Sequence, residues 1–177
     1  MSQQRRSRAG IIPYSIDDQG NSVILLGKEI FGKWSPFAGG VEEGENIAEA
    51  ATREFVEEIM GFFLEDEIQP LLDDNKLLVI RGREDVSYYY PARFYYDPIL
   101  PVYFENITKF FLRCTGGRQN RWGVPEIGTC TEGLFEKSEI AWFRVSELRA
   151  MDRRRSEQLF NFKAREALRE LLKANYL

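Results

Sequence analysis

Histidine is absent from this 177-residue chain. That removes every mechanism built on an imidazole, among them Ser-His-Asp triads, haem ligation and histidine-liganded zinc. Any acid–base or metal chemistry must therefore use carboxylates. Cysteine is scarce, with Cys114 and Cys130 only. Two are too few for a disulfide framework and suit a reducing compartment, where both are expected as buried apolar residues. No apolar run reaches the length of a membrane span, and no hydrophobic signal region follows Met1. Ser2 stands where a myristoylated chain needs glycine. These absences lead us to expect a cytoplasmic or nuclear protein. Charge of neither sign dominates, since the formal net charge is −4, so the whole molecule is no obvious partner for a polyanion. Arginines cluster locally at Arg5, Arg6 and Arg8 and at Arg153, Arg154 and Arg155.

The length suits one domain with its own core. Residues 1–7 read as a flexible basic N-terminus and 8–177 as a single domain. Residues 8–15 and 22–29 read as strands either side of the turn-rich "IDDQGN". A glycine- and proline-broken loop follows over 31–44. Asn46 then offers a helix N-cap, and Glu49 completes a capping box. Ile47, Ala51, Phe55 and Ile59 recur every four residues as a core-facing stripe, and Gly61 is placed to end the helix. Further on, 75–82, 107–114 and 139–145 read as strands. Ser146 is expected to cap a short helix, and 156–175 to form one amphipathic C-terminal helix. Strand–helix alternation predicts an α/β fold, an α+β sandwich with the sheet covered by helices.

The stretch "GGVEEGENIAEAATREFVEEIMG" over 39–61 carries the chemistry. Glu54, Glu57 and Glu58 stand at i, i+3 and i+4, so a helix gathers their carboxylates on one face, expected to lie away from the apolar stripe. Like charges at that spacing repel, and Arg53 alone does not balance three of them. A hard divalent cation with oxygen ligands, Mg²⁺ or Mn²⁺, is the natural counter-charge. Glycines ahead of the helix let backbone approach metal or phosphate, and the helix N-terminus favours anions. Together they describe a site for a diphosphate.

This stretch resembles the Nudix box of the Nudix hydrolases. The pattern is matched by Gly39, Glu45, Arg53, Glu54, Phe55, Glu57 and Glu58 with every internal spacing kept. The closing glycine comes one residue late, at Gly61, which suggests an extra residue or a π-bulge at the helix end. Ala38 stands where many members carry glycine. The resemblance implies a Nudix-like mixed β-sheet packed between helices. It also implies a metal-dependent pyrophosphohydrolase that cleaves a nucleoside diphosphate linked to another moiety. Glu54, Glu57 and Glu58 would hold the metal, helped by a carbonyl from Ala38 or Gly39. Glu54, or a later-loop glutamate among Glu132, Glu136 and Glu139, would take the proton of the attacking water. Arg53 would orient a carboxylate, and Glu45 would support the loop. Two alternatives stand beside this activity: an mRNA-decapping enzyme acting on an RNA 5′ end, and a catalytically silent nucleotide-binding module. Trp34 and Trp122 are candidates to stack a base. The tyrosines at 88–90, 95 and 96 are expected mainly in sheet packing, and the 153–155 arginines mainly on a solvated helix face. The segment 62–106 is expected to shape the choice of substrate.

Overall fold

A computed structural model describes residues 6–82, 84–114, 136–174 and 176–177. It contains strands β1 (Arg6–Ile16), β2 (Ser22–Glu29), β3 (Trp34–Ser35) and β4 (Phe37–Gly40), then helices α1 (Ile47–Glu58) and α2 (Glu65–Ile68). Strands β5 (Leu78–Arg81) and β6 (Asp85–Arg93), helix α3 (Leu100–Cys114) and strand β7 (Lys137–Arg144) come next. Helices α4 (Val145–Ala150), α5 (Arg153–Leu159) and α6 (Phe162–Lys173) close the chain. The strands form one mixed sheet, with β1 parallel to β6 and antiparallel to its other partners.

The sheet forks at β1. β1 pairs with β2 only at one end, through Tyr14, Ser15 and Ile16. Further back the same edge of β1 carries β4, with Arg8 opposite Gly40 and Ile11 opposite Phe37. β2 meanwhile takes β3 and β7. The segment from β3 to β4 therefore lines the split between two half-sheets. Alternation along the strands divides the core in two. Ala9, Ile11, Leu25 and Ile140 pack with Ala51, Phe55 and Ile59 of the α1 region. Ile12, Ile24, Leu26 and Trp34 pack on the other face with Leu148, Ala164 and Leu168 of α4 and α6.

Helix α1 starts as its capping box requires. The Asn46 side chain accepts from the Ala48 and Glu49 amides, and the Glu49 carboxylate accepts from the Asn46 amide at 2.8 Å. Phe55 is fully buried and meets Phe37 edge-on at 5.1 Å. The helix ends without an inserted residue. The Gly61 amide donates to the Val56 carbonyl and the Met60 amide to the Glu57 carbonyl, the paired bonds of a Schellman ending. Met60 itself takes the left-handed position at φ 57°, with Gly61 at φ 68° behind it.

Several expectations are corrected. Residues 107–114 belong to helix α3, in which Leu100 and Phe104 are the buried pair one turn apart and Thr108 bonds back to the Phe104 carbonyl. The expected single C-terminal helix breaks at Phe160, whose backbone bridges to Trp34, and Asn161 caps a new start. Ser146 does not cap α4, which begins after Arg144. Cys114 is exposed at the end of α3, whereas Cys130 lies outside the described residues.

Candidate active site

Helix α1 crosses the fork and lays its carboxylates against β4. Gly39 makes this possible, because a Cβ built there would fall on the Glu54 carboxyl group. The carboxylate face is therefore not a solvent face, since Glu54 and Glu58 are both buried. Arg53 ties the cluster to the loop. Its Nε donates to Glu45 Oε1 at 2.6 Å and its Nη2 to Glu45 Oε2 at 3.1 Å and to the Gly40 carbonyl at 2.8 Å. Its Nη1 donates to Glu54 Oε1 at 2.9 Å and Glu57 Oε2 at 3.3 Å. One planar fork of donors thus orients three glutamates and one carbonyl, which an ammonium could not do.

The electrostatics separate these groups. Hydrogen bonds from Arg53 hold Glu45 below its ordinary range, and the acceptors hold Arg53 above its own. Burial pushes Glu54 upward against Arg53, with the charges of Glu57 and Glu136 adding to the rise. Glu57 moves the same way, chiefly through burial, with Glu42 and Glu136 contributing. Glu58 is pushed up by complete burial while Lys137 opposes. Its Oε2 accepts the Ala38 amide at 2.9 Å and its Oε1 lies 3.1 Å from Lys137 Nζ.

The donor set is all oxygen and excessively negative, which fits a hard divalent cation. Glu54, Glu57 and Glu58 all sit above the ordinary carboxylate range, a strain that a bound cation would relieve. Among the described residues no three acidic groups stand gathered as a ready cage; Arg53 and Lys137 hold these carboxylates instead. The Ala38 carbonyl accepts Arg8 Nη2 at 2.7 Å.

The other candidates divide. Glu136 is exposed at the start of β7, and its charge is felt by Glu54, Glu57 and Glu58. Glu139 is not brought to the cluster; it pairs with Lys28 at 3.0 Å, opposite it in the β2–β7 ladder, on the sheet face away from α1. Trp34 is 8% exposed and packed edge-on against Phe143 at 4.9 Å in that same far core. It is not brought to the carboxylates, because β3 turns its ring toward α6. Glu132 and Trp122 lie outside the described residues. Tyr89 and Tyr90 are buried in β6, whereas Tyr95 is 88% exposed. Sequence reasoning missed Arg8, Glu29, Ser35 and Lys137. Arg8 and Lys137 lie far in sequence from the box and Glu29 and Ser35 just ahead of it, outside its pattern, and strand pairing across the fork brings them in.

The family model of the NUDIX domain matches residues 4–163. The chain belongs to the NUDIX family. Comparison with curated proteins finds no match. Solved structures share the fold at low identity. The NUDIX domain of Shewanella oneidensis NrtR, complexed with ADP ribose, is 13% identical with a TM-score of 0.57, covering 97% of this chain and 88% of that one. A binary complex of Caenorhabditis elegans Ap4A hydrolase is 14% identical with a TM-score of 0.53, covering 94% of each chain. The Francisella tularensis bifunctional NMN adenylyltransferase/ADP ribose pyrophosphatase, with AMP and a Mn ion, is 13% identical with a TM-score of 0.55. This chain is covered to 97% in that match and spans 42% of that protein. Family membership identifies a NUDIX-type hydrolase acting on diphosphate bonds.

Proposed function

We propose that this NUDIX protein is a divalent-cation-dependent pyrophosphohydrolase that cleaves a small nucleoside diphosphate joined to another moiety. The observation that carries the reading is Glu54 packed on Gly39 with Arg53 holding one of its oxygens. Mg²⁺ or Mn²⁺, when bound, would neutralise phosphate charge and lower the pKa of a water. Glu54, Glu57 and Glu58 are the side chains to hold it, with Glu136 at the rim. Arg53 engages Glu54 Oε1, which leaves Oε2 to accept the proton of the attacking water. Burial raises the basicity of that carboxylate. As water adds to phosphorus, the bridging P–O bond breaks and the departing phosphate carries the electron pair away. Arg53 and Glu45 keep the loop carbonyl of Gly40 fixed while this happens.

A small nucleotide is favoured over capped RNA. Of the 153–155 arginines, Arg153, though 90% exposed, is already paired with Glu157 at 2.9 Å, and the formal net charge of −4 gives no general attraction for a polyanion. ADP ribose and AMP, the ligands named in two of the similar structures, share an adenosine phosphate, which sets the test. The protein is incubated with Mg²⁺ and a panel containing ADP-ribose, Ap4A, nucleotide sugars, diphosphoinositol phosphates and a capped RNA, and the products are separated by chromatography. Metal-dependent release of a nucleoside monophosphate or diphosphate from a free nucleotide is expected, and a chelator should abolish it. Cleavage confined to capped RNA, or cleavage persisting after exhaustive chelation, would reject the proposal.

A further inference from the structure

We propose that Lys137 is a positioning residue for the carboxylate face, an internal cation that pre-forms the Glu58 carboxylate and the glycine loop without a bound ion. The inference takes the purpose of the site from the hydrolase reading above and nothing else.

Lys137 is 1% exposed, and lysine is almost never buried without partners. Strict alternation would not put it where it is. In β7 Ile140 and Trp142 face α1, while Ala141 and Phe143 face α4 and α6. Counting back, Lys137 would join Glu139 on the far side. A bulge prevents this. Glu139 lies opposite Lys28 and Lys137 opposite Glu29, so two steps of β7 match one step of β2. Ser138 is the extra residue, and its hydroxyl donates to the Lys28 carbonyl at 3.1 Å. Lys137 is thereby passed through to the α1 face. Gly27 leaves room for its stem, since a Cβ there would lie 2.7 Å from Lys137 Cδ and 2.8 Å from Cγ.

The ammonium spends its donors on site-forming groups: Glu29 Oε1 at 2.8 Å, Ser35 Oγ at 2.9 Å and Glu58 Oε1 at 3.1 Å. The other Glu58 oxygen takes the Ala38 amide. Ala38 precedes Gly39, on which Glu54 rests. A continuous chain of contacts therefore runs from Lys137 through Glu58 and β4 to Glu54. An apolar side chain would fill the same space with less desolvation cost. What it could not supply is a fixed positive charge beneath Glu58. Without that charge the buried carboxylate keeps only an amide, and a divalent cation becomes its remaining counter-charge.

The test uses Lys137→Met and Glu58→Gln, singly and together, in the full chain without substrate. Thermal unfolding is followed in chelator and in Mn²⁺. Removing one partner of a buried pair should lower the metal-free Tm of Lys137→Met by roughly 10 °C. Mn²⁺ should raise the Tm of that variant by several degrees more than it raises the parent. The double variant should recover most of the loss, because the fully buried carboxylate is gone and Glu29, 28% exposed, keeps the Ser35 hydroxyl and water. Glu29→Gln, which leaves the Lys137–Glu58 contact in place, should keep the parent's response to Mn²⁺. An unchanged Tm and Mn²⁺ response in Lys137→Met would overturn the proposal, as would a double variant that only sums the single losses. If Lys137→Met fails to fold, a folded double variant supports the role and an unfolded one rejects it. Inactivity toward every diphosphate, with the coupling intact, would reject the hydrolase reading alone.

Discussion

Gly39 and Gly40 are neighbours in β4, and replacing each with alanine should give opposite results. Neither has a positive φ, so alanine fits both backbones and only space distinguishes them. A methyl group at residue 39 would land on the Glu54 carboxyl, whereas one at residue 40 meets nothing within 4 Å. In Gly39→Ala the Glu54 carboxylate must swing away and give up its 2.9 Å bond from Arg53. The side chain is flexible but buried, and the bond it gives up joins two charged groups, so the fold should lose about 2 kcal/mol, the scale of a hydrogen bond to a charged group. The site should suffer far more. A reacting group misplaced by about 1 Å costs on the order of 100-fold, or about 2.7 kcal/mol of barrier.

Steady-state kinetics on the best substrate of the diphosphate panel, with Tm measured alongside, check this pair. Gly39→Ala should lose about two orders of magnitude in kcat while staying folded, and Gly40→Ala should stay within about threefold of the parent. If the damage runs through Glu54, adding Gly39→Ala to Glu54→Gln should cost nothing further, since effects of coupled groups do not add. Equal damage at both glycines, or parental activity in Gly39→Ala, would refute the account of the close approach.

Glu57→Gln should lower kcat by orders of magnitude yet keep or raise the Tm in chelator, because it removes repulsion from Glu54 and Glu136; near-parental turnover would place the metal elsewhere. Burial holds Glu54 and Glu57 above the ordinary carboxylate value of 4.5, so the folded state binds these protons more tightly than the unfolded chain. Their stabilising contribution is full below the unfolded pKa and fades as pH rises through the folded one. Metal-free Tm should therefore fall from pH 5 toward pH 8, and saturating Mg²⁺ should flatten the fall; a Tm that climbs over this range would contradict the burial of the pair. Gly61→Ala should lose about 1 kcal/mol, from the left-handed φ alone, with kcat unchanged; no loss of Tm would show that the Schellman ending relaxes.

What was legible in the sequence was local. The α1 cap, the four-residue stripe and the spacing of Glu54, Glu57 and Glu58 all lie within one helix, where period and position determine direction. Helix α3 was misread because Ile107, Thr108, Phe110 and Phe111 favour strands by type, whereas the buried residues of the helix, Leu100 and Phe104, lie upstream of them. At the helix end Gly61 takes the left-handed conformation expected of it, but the residue before it does so as well. Met60 takes the first left-handed position, the one that closes the Schellman ending, with its side chain packed against the α1 core.

Lys137 shows the limit most clearly. Period-two counting along β7 gives the right face for Ile140 through Phe143, then fails at the bulge on Ser138. A bulge is set by what the two strands must accommodate, here Gly27 beneath a lysine stem and Glu29 beside its head. None of these residues is unusual by itself, and they are separated by more than a hundred positions. The carboxylate face of the box follows from one helix. The charge that holds it from below follows only from the pairing of two distant strands.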